Sequence, residues 1–287
     1  NDWQTDVAAY QKMIDHGKKT LQRLEKKAST EVEKAQTERA SANERSSSRC
    51  ARNCSRSSDK VVPSPAPAYI RPPGDGLSPA NSVRCGLGGP ARYYAKEFGC
   101  IITGIDITPS FVEIGNEFNK ITSMSSKVEL KVGNGEILDF KNETFDGAYS
   151  QHVTMNVSDR EKFFSEAFRV LKKGGFFAFT EHGLGIKGNP IFPLPWADNK
   201  KMSFLLPPEE TILLLKKVGF SNIEIIETGD KYISGYEKLT NPSPKKERPI
   251  LGIHVIGGES MKERSVNSMK SIKENRTLPF EVVCKKQ

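Results

Sequence analysis

NSVRCGLGGPARYYAKEFGCIITGID, residues 81–106, joins a glycine-rich turn, an amphipathic segment and a short apolar run that ends in an acid. Gly86, Gly88 and Gly89 let backbone approach a ligand closely, and Pro90 suits the first turn of a helix. GCIITGID reads as a buried strand, and Asp106 ends it 20 residues after Gly86. At that place a carboxylate can accept from both hydroxyls of a ribose. A second reading keeps the glycines for tight helix–strand packing and Asp106 as a helix cap. The leading edge is unusual for a cofactor turn, with Ser82 and Arg84 where such loops carry acid and glycine.

Downstream of this stretch, strand and helix patterns alternate. PSFVEIGNEFNKI is a helix started by Pro109, and KVELKVGN and TFDGAYSQHV are strands. SDREKFFSEAFRVLKKGG is a helix with Ser158 as its cap and glycines closing it. FFAFTEH, SNIEIIET and LPFEVVCKK supply further strands, and PPEETILLLKKVGF another helix. Such alternation implies a mostly parallel α/β sheet covered on both faces. Ligands on such sheets bind beyond the carboxyl ends of the strands.

Upstream, composition changes near residue 80. Positions 3, 7, 10, 14, 17, 21, 24, 28, 31 and 35 follow an alternating four-three step, a heptad seam broken only at Gly17 and Glu31. Residues 1–42 therefore read as a helical extension, either a coiled coil with a partner helix or an amphipathic helix lying on its own domain. Residues 43–80, rich in serine and arginine and then in proline, read as a disordered linker. PPGDGLSPAN reads as too short and proline-rich for a full strand plus a preceding helix.

The 287 residues carry a net charge of +8, with basic and acidic residues interspersed, which reads as a solvated surface rather than a nucleic-acid footprint. Five cysteines without repeated spacing support neither a disulfide framework nor a zinc knuckle, and no metal is expected. No apolar run reaches membrane-spanning length. A cytoplasmic setting is the default, with organellar targeting left open because residue 1 is not methionine.

Taken with RVLKKGG, FDGAYSQHV and the acid at the second strand end, residues 83–287 resemble class I S-adenosylmethionine-dependent methyltransferases. PLPWA, SFLLPPEETILLLKKVGF and LGIHVIGG are nearest to the small-molecule enzymes of the sarcosine/dimethylglycine and quinone-biosynthesis type. The resemblance implies a Rossmann-like, seven-stranded sheet with helices on both faces and an antiparallel last strand inserted between its neighbours. It implies S-adenosylmethionine as cofactor, with Cys85, Gly86, Gly88 and Gly89 at its methionine part. Asp106 would hold the ribose, Ile107, Asn134 and Gly135 the adenine, and Gln151 the methionine end. NPPY does not follow the fourth strand, which argues against nucleic-acid methylation.

Methyl transfer needs alignment and exclusion of water, plus a base when the nucleophile carries a proton. His152 and His182, with Glu181 beside the latter, are the candidate catalytic groups; hydrogen-bonded loop histidines are the plain alternative. Insertions at about 183–206 and 231–276 read as lids, or as segments that only pack on each other. The first offers Phe192, Trp196 and Phe204 as substrate wall, with Trp196 suited to a cationic amine or the sulfonium. The expectation is an enzyme acting on a small-molecule N, O or C nucleophile. A catalytically impaired interaction protein carrying a heptad helix is the other reading.

Overall fold

In a computed structural model of the protein, residues 85–240 and 260–287 are described in full and residues 79–83 by their backbone. The heptad segment, the linker up to residue 78, and the side chains of Ser82 and Arg84 lie outside the described residues. In chain order the elements are β1 (Pro79–Val83), α1 (Gly89–Phe98), β2 (Ile101–Asp106), α2 (Pro109–Ile121), β3 (Val128–Val132), β4 (Phe145–Gln151), α3 (Arg160–Val170), β5 (Leu171–Leu184), α4 (Pro208–Val218), β6 (Phe220–Glu227), α5 (Gly229–Thr240), α6 (Met261–Lys273) and β7 (Thr277–Lys286).

The strands form a mixed α/β, Rossmann-like sheet in the order β3-β2-β1-β4-β5-β7-β6. β1 lies parallel between β2 and β4, and β7 runs antiparallel between β5 and β6. Pro79 opens β1, so PPGDGLSPAN supplies the first three residues of a five-residue strand at the middle of the sheet, and the place of a preceding helix lies outside the described residues. Proline is compatible with a first strand position.

Two helix layers cover the faces. On one, Ala91, Tyr94 and Ala95 of α1 and Val112 of α2 pack on Ile102, Val128, Leu130 and Tyr149. Arg92 ties the two helices together by donating to Asn119 Oδ1 at 3.0 Å and to the Gly115 carbonyl. On the other face Phe163, Phe164 and Ala167 of α3 and Leu215 of α4 pack on Phe177, Phe179, Phe220 and Phe280. Each fully buried phenyl ring there contributes about 1.5–3 kcal/mol.

Two boundaries differ from the sequence reading. Asp159, not Ser158, caps α3, its carboxylate accepting from Lys162 N at 3.0 Å. The helix also stops at Val170, ahead of the glycines expected to close it. Leu171 already pairs with Phe145 across an irregularity, and Gly174 turns at φ +79 inside β5.

Candidate functional site

The carboxyl ends of β1, β2 and β4 converge on the glycine turn. Gly86 and Gly88 adopt φ +54 and +74, a left-handed backbone that favours glycine. A side chain on Gly88 would strike Arg92 and Leu130, whereas Gly86 and Gly89 face open space for at least 4 Å. One glycine is thus set by packing, and the other two leave a cradle. Asp106 is 5 % exposed, and its two oxygens accept from Gly86 N (2.9 Å) and Thr108 N (3.0 Å). A carboxylate has about four acceptor positions, so about two remain for a diol. The same residue therefore caps and holds the turn, so the two readings of Asp106 are compatible.

Cys85 is buried against Gly104, and its thiol donates to the Gly86 carbonyl. Burial, then the nearby Asp106, pushes its pKa up to about 12, so it acts as packing rather than as a nucleophile. Ile107 and Ile137 are exposed apolar side chains on the loops after the neighbouring strands β2 and β3. Asn134 accepts from Glu136 N and bridges to Ile137, shaping the turn that contains Gly135. Glycines without obstruction, a buried acid with spare acceptors and exposed apolar flanks thus gather at one edge of the sheet.

One strand further along, rings gather. The His152 backbone, at φ +55, holds a conformation that costs a non-glycine residue about 1–3 kcal/mol. Its N–H donates to the Thr180 carbonyl at 3.0 Å. Its Nε2 lies 2.9 Å from the Tyr232 hydroxyl of α5. His182, 1 % exposed, sits 4.6 Å from Trp196, 5.0 Å from Tyr232 and 5.9 Å from His152, centroid to centroid. Trp196 Nε1 donates to Ser203 Oγ, which fixes the indole. Desolvation, then His152, drives the His182 pKa well below the usual imidazole value. Desolvation lowers that of His152 as well, but the residue is exposed, so solvent offsets much of that effect. Both rings are therefore neutral near pH 7. Gln151 donates to the Tyr94 hydroxyl on α1 at 2.9 Å, bringing α1 up to the same cluster.

Other sequence candidates lie elsewhere. Glu181 follows strand alternation and faces α3 and α4, away from its neighbour His182. Fully buried, it accepts from Arg160 at 2.6 Å, from Thr211 at 3.2 Å and from Thr154. Burial raises its pKa and lowers that of Arg160, and the pair counteracts both shifts. Phe204 is exposed; its carbonyl accepts from Arg160, and it lines a shallow groove with Val157, Leu206 and Leu214. Among the described residues no ring contact joins Phe192 or Phe204 to the histidine–tyrosine cluster.

The two insertions are bonded to each other. Arg264 of α6 donates to the Leu194 carbonyl at 2.7 Å and pairs with Asp198. Asn267 donates to the Pro193 carbonyl, and Ser271 Oγ accepts from Ile191 N. α6 also donates through Ser268 to the Tyr236 hydroxyl of α5. Tyr232, absent from the sequence candidates, stands four residues before Tyr236 in KYISGY. That spacing puts both rings on one helix face, the one local signal the sequence holds. No group of His, Cys, Asp and Glu among the described residues could hold a metal, and no described helix is long and apolar enough to cross a membrane.

Residues 82–179 match a family described as a methyltransferase domain. Squalene methyltransferase 1 of Botryococcus braunii is 38% identical over 99 residues, 34% of this chain and 26% of that protein. The chain spans about half or less of the length of the curated relatives it matches. Among solved structures, a protein assigned as a sarcosine dimethylglycine methyltransferase from Galdieria sulphuraria superposes with TM-score 0.61 at 20% identity, covering 74% of this chain and 79% of that one. Phosphoethanolamine N-methyltransferase 2 of Haemonchus contortus gives 0.62 at 19% identity, covering 75% and 50%. At such identities the structural likeness establishes the fold alone.

Proposed function

We propose, from the match of residues 82–179 to a methyltransferase domain, that the chain transfers a methyl group from S-adenosylmethionine to a small-molecule nucleophile. The observation that carries this reading is a pairing of two sites on one sheet edge. The unobstructed glycine turn with Asp106 lies beside a ring-lined cluster holding neutral His152.

In this reading the Gly86 and Gly89 backbone and Gln151 border the methionine end, and Asp106 accepts from the ribose. Ile107, Asn134 and Gly135 flank the adenine, with Ile137 added from the structure. When bound, S-adenosylmethionine supplies an electrophilic methyl group on a sulfonium sulfur. His152 serves as base: protonated at Nδ1, it accepts at Nε2 from the Tyr232 hydroxyl. An acceptor proton passes to the Tyr232 oxygen while the tyrosine proton moves to Nε2. Trp196 and His182 wall the acceptor and exclude water. Glu181 leaves the catalytic set and anchors β5 to α3. The squalene, sterol and phosphoethanolamine enzymes among its relatives and neighbours agree with a small-molecule acceptor. A bound pair of small molecules under the described parts of the insertions at about 183–206 and 231–276 makes those segments a lid in this reading. No described residue favours a turnover-deficient interaction protein.

Calorimetry of the purified chain with S-adenosylhomocysteine tests the cofactor half. Asp106→Ala is expected to weaken binding by about 1–3 kcal/mol, the range for a lost hydrogen bond to a charged group. Equal affinity of the two proteins refutes the role of Asp106.

A further inference from the structure

The sheet register places a carboxylate on the ring-lined side that the mechanism does not use. Glu281 of β7 pairs directly with Thr180 of β5, and Thr180 with Gln151 of β4. Directly paired residues share a sheet face. Gln151, Thr180 and Glu281 therefore form one row across three strands, with His182 two residues beyond Thr180 on the same face. Glu281 is half-buried, yet among the described residues no hydrogen bond or ion pair reaches its carboxylate. Its charge is felt by both Tyr94 and Tyr232, helping to raise their hydroxyl pKa values behind the larger effect of burial. It therefore faces the space between α1 and α5.

One further polar atom there lacks a partner among the described residues: His182 Nδ1 is buried and makes no hydrogen bond, while Thr180 is close enough to the Tyr232 hydroxyl to act on it. Buried polar atoms and carboxylates are normally satisfied. An unpaired carboxylate near the Tyr232 hydroxyl, on the sheet face that also carries His182, has a natural complement in a cation, which gains from charge and from neighbouring ring quadrupoles. β7 is separated from the glycine turn at β1 by β4 and β5, so this cation belongs to the acceptor rather than to the cofactor.

We propose that Glu281, with the rings of Tyr232, His152, His182 and Trp196, forms a subsite for a protonated amine of the methyl acceptor, an inference that rests on the methyl-transfer reading for its chemistry. The ammonium first gives a proton, through Tyr232, to His152 Nε2. The freed nitrogen pair then forms the N–C bond as the C–S bond breaks, with its electrons left on sulfur. The methylated nitrogen is again positive, so Glu281 holds product as it held substrate, which permits repeated methylation without release.

The probes are N,N-dimethylethanolamine, cationic at neutral pH, and its uncharged isostere isoamyl alcohol. Binding to the full chain with S-adenosylhomocysteine present is read from the fluorescence of Trp196, one of only two tryptophans. The amine is expected to bind at least about tenfold more tightly than the alcohol, the size of one charge-assisted contact. Glu281→Gln should abolish the preference with the affinity for S-adenosylhomocysteine unchanged, and Glu281→Asp should keep part of it. Equal binding of the two probes, or a preference that survives Glu281→Gln, overturns the subsite. If S-adenosylhomocysteine fails to bind while the amine preference is present and Glu281-dependent, the subsite stands and the methyl-transfer reading falls.

Discussion

The contact between Tyr232 and His152 links a helix of the second insertion to the turn that ends β4, across 80 positions of sequence. Tyr232→Phe keeps the ring and removes the hydroxyl. Turnover is expected to fall by about 10²-fold or more, the low end for a lost proton-transfer group, with cofactor affinity unchanged. Turnover should also decline as falling pH protonates His152, because only its neutral form accepts a proton. His182 has a consequence for stability. When unfolded it takes up a proton as pH falls below about 6.5, while folded it stays neutral. Stability is therefore lost from that pH downward until the depressed folded value is reached, at up to about 1.4 kcal/mol per pH unit. His182→Phe should flatten that limb in urea titrations at successive pH values. At this scale the sequence was legible where backbone structure follows local pattern. Asp106 and the glycines sit on a turn and a strand end that neighbouring residues define. Tyr232 and Glu281 were not legible as site residues. Spacing pairs Tyr232 with Tyr236, but nothing near Tyr232 or Glu281 in the chain reveals which strand or turn they meet.

At the level of elements, β5 carries two unrelated tasks on its two faces, and the Glu181–Arg160 pair belongs wholly to the core side. Glu181→Gln leaves Arg160 buried without its counter-charge, and about 3–5 kcal/mol of stability should be lost in denaturant titration. The double change Glu181→Leu with Arg160→Met removes both charges and should recover most of that loss. A double variant no better than the single one would show that Thr154, Thr211 and the Phe204 carbonyl depend on the pair. Element types could be read from the sequence because apolar periodicity and capping are local. The cap of α3 moved by one residue because Ser158 and Asp159 both suit the position. The start of β5 moved further, because Leu171 obeys its partner Phe145 rather than its neighbours. Proline does not bar β1 for a similar reason: a strand flanked by two others is held by their backbones, whatever its own propensity.

Over the whole molecule the sheet depends on its final strand. β7 supplies the partner of β6 and the outer neighbour of β5, and Phe280 and Val282 belong to the larger core cluster. A chain stopped at Arg276 should therefore lose cooperative thermal unfolding. Removal of Gln287 alone should leave the transition unchanged, since strand pairing runs from Thr277 to Lys286 and ends before it. During synthesis the same geometry imposes an order of events. The glycine turn, Asp106 and the parallel strands leave the ribosome well before β7, so a cofactor cradle can assemble on a half-open sheet. The acidic member of the acceptor side arrives only when Glu281 emerges and β7 threads between two strands already made. A nascent chain is thereby kept from presenting a complete reaction centre until its longest-range pairing has closed.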